Sequence, residues 1–493
     1  MQKPPEMIWQ EPKCIGDIPS KRSGHSISVI DNTLYLFGGN DFRRPAGPNN
    51  ELYKLDMSSP SEGFFWSKVP VAPGGKGPPE PRSHHTATVW GTKILYFGGF
   101  RSSSIRYNDL WILDTDNNKD EWNQPFNGAT ETKADGEVVF KRAWPEVPMP
   151  RGAHSATIID KSLYIFGGYG GVGFARRDFN DVTVLELDTF EWRPLLEMTG
   201  ELPPPRSGHQ GIAVNENLYV IGGWNSMDQF ADMYIMDTVT SAWTKPPKEG
   251  DFGPPRWNFA AVAVVAVPHW KIFVFGGNSG DLVDGGNPLG SYMNDMVVLE
   301  TGTNSWTRPL VSGTPPTPRG ETPIVYDSKK YNLILFGGWA NKWYGDLNVC
   351  KVNEVVGPPY AIFSVSPNAG PITGGTPCTL TGVGFKASGN TATVRFACPK
   401  GFMEQPGEVV SDTLIKFDSP CFEKYGAMTV EGRACVGARA LTNNTVKYTY
   451  FSVTSCETSV CFGPGMLSGV VAGVQASVII QSKDEDSACL KRH

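Results

Sequence analysis

Short apolar runs ending in a pair of glycines recur along the first two thirds of the chain. Leu34-Tyr35-Leu36-Phe37 runs into Gly38-Gly39, Leu163-Tyr164-Ile165-Phe166 into Gly167-Gly168, and Ile272-Phe273-Val274-Phe275 into Gly276-Gly277. Further doublets stand at Gly98-Gly99, Gly222-Gly223 and Gly337-Gly338, so the interval is 54 to 69 residues. Aromatic and β-branched residues in such runs predict buried strands, and a fixed interval marks a repeat. After a loop of variable length, a second strand opens with an Asn-Asp-type pair. Examples are Asn50-Glu51, Asn108-Asp109, Asn180-Asp181 and Asn294-Asp295, with Ala231-Asp232 and Gly345-Asp346 as variants. The acidic or amide side chain there can satisfy backbone groups of the turn. A tryptophan follows in five units, at Trp66, Trp122, Trp192, Trp243 and Trp306. A large ring at one place in each unit predicts packing between neighbours.

Each unit begins with a Pro-Arg element, as in Pro81-Arg82-Ser83-His84-His85 and Pro205-Arg206-Ser207-Gly208-His209, with weaker forms at Arg22, Arg256 and Arg319. Four short strands per unit predict a propeller blade. The sixth unit has no tryptophan before Pro358-Pro359, whereas Met7-Ile8-Trp9-Gln10 has the form of an outermost strand without a blade. We expect that segment to complete blade six and close the ring, leaving only short, protected edges. These motifs resemble the kelch repeat over residues 1 to about 357. The resemblance implies a β-propeller acting mostly as a protein-binding platform, with sugar-alcohol oxidases and thiohydroximate-processing specifier proteins as catalytic exceptions.

From Tyr360 the pattern changes to strict alternation with Gly and Pro at turns, which predicts a β-sandwich. Ile362-Phe363-Ser364-Val365-Ser366-Pro367 and Gly374-Gly375-Thr376-Pro377 are similar to the start of an IPT/TIG domain, an immunoglobulin-like fold. Val394-Arg395-Phe396, Leu414-Ile415-Lys416-Phe417 and Val446-Lys447-Tyr448-Thr449-Tyr450-Phe451 would supply later strands. The tail, with Gly463-Pro464-Gly465 and Ile479-Ile480-Gln481, resembles the first half of a filamin-type repeat, too short to close by itself and expected to be truncated, the alternative being completion by a partner through strand addition. The expected fold class is all-β, with a six-bladed propeller at 1–357, an immunoglobulin-like IPT/TIG domain at 358–452 and a partial filamin-like repeat at 453–493.

Composition narrows the function. The chain has 493 residues, 55 Gly, 40 Pro, 11% aromatic and 40% hydrophobic residues and a formal charge of −6. It is turn-rich rather than disordered, and it lacks the basic stripe of a nucleic-acid binder. The start lacks the apolar core of a secretory signal, and no apolar stretch is long enough for a membrane span, so a cytoplasmic protein is expected. Nine cysteines without a CxxC pair predict free thiols rather than zinc. An extracellular adhesion module, by contrast, would need disulfides among Cys378, Cys398, Cys421 and Cys435.

Chemistry is sparse. Of seven histidines, His25, His85, His154 and His209 repeat once per unit, which suits hydrogen bonding inside each blade rather than one metal site. Copper oxidases of this architecture need a histidine from the domain after the propeller, and residues 358–492 contain none. No channel-facing Glu and Asp cluster of the specifier kind stands out near Glu197 or Asp181. Gly167 to Gly173 is a doublet followed by a loop, with no helix to complete a phosphate cradle. We therefore expect no enzyme activity, cofactor or metal. The alternative is a metal-dependent oxidase or specifier enzyme with its site at the propeller mouth.

Binding is the better prospect, because loops after the doublets should share a face with the Pro-Arg turns. Units one to three place Arg43, Arg44, Arg101, Arg106, Arg176 and Arg177 there. Units four to six place Trp224, Met227 and Asp228, then Asp281 and Asp284, then Trp339, Lys342 and Trp343. A basic arc opposite an aromatic-acidic arc suits a protein partner with an acidic segment. The loop from Asn123 to Val147 offers a second surface. The expected role is a scaffold or adaptor in a cytoskeletal or ciliary setting, without nucleic-acid or membrane binding.

Overall fold

The computed structural model describes residues 5–42, 47–58, 63–70, 77–116, 119–128, 130–132, 138–140, 147–171, 176–195, 197–280, 291–437, 440–452, 460–462 and 479–481. It divides into two compact units, one holding Pro4–Val265 and His269–Val355, the other holding Met1–Lys3, Ala266–Pro268 and Val356–His493. No helix among the described residues is long and apolar enough to cross a membrane.

The first unit contains six antiparallel sheets of four or five strands, each with the doublet-bearing strand near its middle. Sheet 1 runs Ser26–Ile30, Thr33–Phe37, Leu52–Asp56, Phe64–Lys68. Sheet 2 runs Thr86–Trp90, Lys93–Phe100, Arg106–Asp114, Glu121–Phe126. Sheet 3 runs Ser155–Ile159, Ser162–Phe166, Val182–Glu186, Glu191–Pro194, and sheet 4 runs Gln210–Val214, Asn217–Ile221, Met233–Asp237, Ala242–Thr244. Sheet 5 runs Ala260–Val264, Lys271–Asn278, Tyr292–Glu300, Ser305–Thr307. Sheet 6 takes Ile324–Asp327, Asn332–Trp339 and Trp343–Lys351, and its fourth strand is Glu6–Gln10, with Trp9 opposite Cys350. Within the expected loop from Asn123, the chain instead continues as the last strand of sheet 2, and Thr130–Thr132 pairs with Val138–Phe140.

Four sheets carry a fifth, parallel strand formed by the segment that enters them: Cys14–Gly16, Thr199–Gly200, Glu249–Gly250 and Leu310–Gly313. Each ends on a glycine with φ between 75° and 82°. A Cβ there would come within 2.0–2.2 Å of the carbonyl oxygen of the closing Trp66, Trp243, Trp306 or Trp9. That same carbonyl accepts the N–H of the next residue, as from Asp17 at 2.8 Å and Thr314 at 3.0 Å. Only glycine fits both the left-handed backbone and the close approach.

Neighbouring sheets share their apolar cores. The closing tryptophan of one sheet lies against the phenylalanine that precedes the doublet of the sheet before it. Ring centroids are 5.3 Å apart for Trp122 on Phe37, Trp192 on Phe97, Trp66 on Phe336 and Trp9 on Phe275, and 5.4 Å for Trp243 on Phe166. Leu34 and Trp66 of sheet 1 pack with Ile334 and Leu347 of sheet 6 in one cluster, so the last sheet meets the first.

Each sheet also buries one arginine: Arg22, Arg82, Arg151, Arg206, Arg256 and Arg319. Its Nη1 donates to the carbonyl of the first doublet glycine, at distances from 2.8 Å for Gly222 to 3.1 Å for Gly276. The guanidinium meets Glu51, Asp109, Asp181, Asp232, Asp295 or Asp346 at 2.6–3.1 Å. An aromatic ring covers it, 3.9 Å away for Tyr344 over Arg319 and 4.4 Å for Tyr107 over Arg82. The expectation that the acidic residue serves the turn backbone is thereby corrected. The carboxylate neutralises a buried cation, a much larger electrostatic demand, and the neighbouring asparagine serves the turn. Asn50, Asn108, Asn180 and Asn294 donate to the carbonyls of Pro79, Pro148, Pro203 and Pro316.

The second unit has an eight-stranded sheet in the order Ala361–Ser366, Pro377–Val383, Leu414–Asp418, Gly401–Ser411, Thr391–Cys398, Thr429–Val436, Val446–Phe451, Ala369–Pro371. The sheet bends so that its first strand packs near Val446–Phe451. One core fills the bend, with Phe396 stacked on Tyr448 at 4.9 Å and Phe422 on Tyr450 at 4.6 Å. Tyr360 Oη accepts the N–H of Val436 at 3.0 Å. Two segments of the expected filamin-like tail, Val460–Phe462 and Ile479–Gln481, pair antiparallel, and the rest of it lies outside the described residues. Among the described residues Cys14, Cys350, Cys378, Cys398, Cys421 and Cys435 are free thiols.

Candidate functional site

Two residues after each buried arginine, the chain turns through a left-handed residue: Gly24, His84, Ala153, Gly208, Asn258 and Glu321, with φ between 50° and 62°. Their N–H groups form a cycle. Gly24 donates to the carbonyl of Glu321, Glu321 to Asn258, Asn258 to Gly208, Gly208 to Ala153, Ala153 to His84 and His84 to Gly24, at 2.8–3.1 Å. These turns line the same central cavity of about 300 Å³ as the inner strands, with Ser26, Thr86 and Ser155 among the residues on its wall.

The four repeated histidines stand in that wall and are buried. His85 bonds Ser26 Oγ at 2.9 Å, His154 bonds Thr86 Oγ1 at 3.2 Å and His209 bonds Ser155 Oγ at 3.0 Å, each through Nε2. These bonds tie one sheet to the sheet before it, which corrects the expected bonding inside each blade. Burial, then the charge of Arg22 or Arg206, pushes His25 and His209 down to about 3, and His85 and His154 are lowered in the same way. All four are neutral imidazoles at physiological pH.

His84 differs. Gly24 lacks a side chain, and a Cβ there would lie 2.9 Å from the His84 ring, so the imidazole crosses above it. It reaches Glu321, with Nε2 3.6 Å from Oε2, while Ser23 Oγ donates to the same oxygen at 2.7 Å. Burial opposes a charge on His84, but the Glu321 carboxylate outweighs it and raises the imidazole above its usual value. Glu321 is correspondingly held below the usual carboxylate range despite its own burial. Among the described residues, no three His, Cys, Asp or Glu side chains are grouped to hold a metal ion.

Around the cycle, the residue after each doublet pairs with the residue after each buried arginine: Asn40 with Ser23, Phe100 with Ser83, Tyr169 with Gly152, Trp224 with Ser207, Asn278 with Trp257, Trp339 with Gly320. The residues that follow the doublets therefore converge on one mouth. Arg43, Arg44, Asp281 and Asp284 lie outside the described residues. Arg101 is exposed and paired with Glu80 at 3.2 Å. Arg106, opposite Phe100 in register, lies 5.6 Å from the Phe100 ring and 5.2 Å from the Tyr169 ring. Arg176 and Arg177 are exposed, the latter 5.5 Å from the Phe179 ring. Trp224, 40% exposed, stacks on Trp257 at 5.4 Å, and Trp339 meets Trp343 edge-on at 4.5 Å. Sequence reasoning missed Phe100, Tyr169 and Trp257, whose only signal is their place one step beyond a glycine doublet or a buried arginine.

The family model described as the KLHDC2/KLHL20/DRC7 Kelch-repeats domain matches residues 3–144 and 141–277. The chain belongs to the kelch-repeat family. Kelch-repeat relatives include the dynein alpha chain of the flagellar outer arm of Chlamydomonas reinhardtii, 32% identical over 493 residues, covering 97% of this chain and 10% of that protein. Kelch domain-containing protein 1 of Homo sapiens is 27% identical over 319 residues, 60% of this chain and 70% of its own length. Host cell factor 1 of Homo sapiens is 32% identical over 263 residues, 47% of this chain and 12% of its own length. The chain thus spans a tenth of the dynein relative, whose alignment runs through both units.

Proposed function

We propose that this chain is a non-catalytic protein-binding scaffold. In this reading its six sheets are the blades of one kelch propeller that Trp9 closes, the second unit is an immunoglobulin-like IPT/TIG domain, and the mouth holds an acidic segment of a protein partner. The observation that carries the reading is the mouth itself. Arg106 stands on sheet 2, Arg176 and Arg177 between the second and third strands of sheet 3, and the tryptophan pairs on or beside sheets 4 to 6. Charge supplies orientation and rate of encounter, and large rings supply desolvated contact area. Similarity to a flagellar dynein chain along both units supports a cytoskeletal or ciliary setting.

The test is affinity capture of the tagged protein from its own cells at low salt, with mass spectrometry of the captured proteins and elemental analysis of the bait. Stoichiometric axonemal or cytoskeletal partners, lost together with Trp224→Ala and Trp339→Ala, are expected. A partner-free protein carrying copper or iron would overturn the reading in favour of an oxidase or specifier enzyme.

A further inference from the structure

Sheets 2 and 3 differ from the other four at their outer edges. Among the described residues they carry no fifth strand, so Glu121–Phe126 and Glu191–Pro194 stand at the edge. The closing tryptophans record the difference. Trp9, Trp66, Trp243 and Trp306, each beside a parallel strand, are at most 5% exposed, whereas Trp122 and Trp192 are only half-buried. The glycine that ends each covering strand stands six residues before the buried arginine, and the corresponding positions ahead of Arg82 and Arg151 hold Lys76 and Pro145. Proline fixes φ near −65°, and any Cβ at that place would strike the tryptophan carbonyl, so neither residue suits it. Pro125 and Pro194 guard the far ends of the two edge strands, beyond the positions that the covering strands use.

The uncovered edges also differ in charge. In the covered sheets the residue before the tryptophan is Ile8, Phe65, Ala242 or Ser305, and the residue before the covering glycine lies beside it. In sheets 2 and 3 that place is taken by Glu121 and Glu191, both exposed and, among the described residues, without an ion pair. Their neighbours on the inner side, Asp114 and Glu186, are carboxylates as well, already paired with Lys93 and Arg193. Two carboxylates side by side favour a cation on the open flank.

We propose that these two edges accept a parallel strand from a protein partner, an extended segment in which lysine or arginine precedes glycine. The N–H that follows the glycine meets the tryptophan carbonyl, as in the other four sheets, and the basic side chain lies beside Glu121 or Glu191. The proposal rests on the sheet edges and not on the mouth.

The probe is a fluorescein-labelled peptide copied from Pro309–Pro315 with arginine in place of Ser312, read by fluorescence anisotropy on the full chain. Saturable binding is expected. Replacing the peptide's glycine with alanine, or its arginine with glutamate, should weaken binding about tenfold or more. Glu121→Lys combined with Glu191→Lys should weaken the arginine peptide and restore binding of the glutamate peptide, a reversal that misfolding cannot produce. Hydrogen exchange should show new protection at residues 121–124 and 191–193 when the arginine peptide is bound. No saturable binding below about 1 mM, or binding indifferent to both the glycine and the charge reversal, would overturn the proposal. Amides of both edges already protected in the free chain would do the same, because its own preceding segments then cover them. So would a dimer of the chain that dissociates on the charge reversal, because the occupant is then a second copy. Trp224→Ala and Trp339→Ala should leave peptide binding unchanged, so the edges and the mouth stand or fall separately.

Discussion

Arginine and histidine each occur in two settings in the first unit, inside the repeat and at its rim. Inside, six arginines are buried with a carboxylate, a glycine carbonyl and an aromatic cover, and four histidines are neutral, three of them bonded to a hydroxyl of the preceding sheet. At the rim, Arg106 lies between two rings with two nitrogens that have no partner among the described residues, and His84 is drawn toward its charged form by Glu321. The interior residues recur because every sheet poses the same packing problem. The rim residues occur once, so their arrangement answers to something other than folding.

The largest test of this contrast is acidification. Folding depresses the four interior histidines, so their contribution is complete above the ordinary value of 6.5 and is lost as pH falls below it, because the unfolded chain takes up protons that the folded chain refuses. Four such groups give a slope on the order of 5 kcal/mol per pH unit in the steep region. Thermal melts between pH 4 and 8 should show a sharp loss of Tm below about pH 6; a flat profile would mean that the interior histidines are hydrated.

Arg82→Ala should cost about 3–5 kcal/mol in urea unfolding, because it leaves Asp109 without its partner in a low-dielectric site. Gly24→Ala meets both a left-handed backbone and the His84 ring, and a loss of roughly 1–3 kcal/mol is expected from the same measurement. His84→Gln should cost about 1 kcal/mol near pH 6. The sign there opposes the interior set. The raised His84 stabilises fully below 6.5 and loses its effect as pH rises through its folded value, while the lowered Glu321 contributes above 4.5 and fades in acid. Arg106→Gln, at a position that occurs once, should change stability by less than about 0.5 kcal/mol in the same unfolding measurement, which separates rim from interior most cleanly.

Much of this architecture is legible in the chain. The doublets mark the central strands, and the unmatched Trp9 signals a strand looking for a sheet. The partnership of Arg with Asp was equally visible, since Arg82 and Asp109, Arg206 and Asp232, and Arg319 and Asp346 each lie 26 or 27 residues apart. It went unread because a turn gives a nearer explanation for the acid. Gly16, Gly200, Gly250 and Gly313 each stand six residues before the buried arginine, a signal hidden among many other glycines. The Gly401–Ser411 strand was obscured by Pro406 and two glycines. The rim is harder to read. Arg106 needs Tyr169 from the next repeat, and Trp224 needs Trp257, so each pair exists only after the sheets pack.

The pairing of Glu6–Gln10 with Trp343–Lys351 has a consequence for the order of events during synthesis. During synthesis Glu6–Gln10 must wait for more than three hundred residues before Trp343–Lys351 emerges. Throughout that interval Met7, Ile8 and Trp9 lack this sheet, and the nascent chain carries an unpaired apolar segment. Contacts of such sequence separation slow folding and favour association between growing chains. A polysome translating this message therefore brings unpaired Glu6–Gln10 strands close to unfinished sixth sheets of neighbouring copies, the arrangement from which exchanged dimers arise.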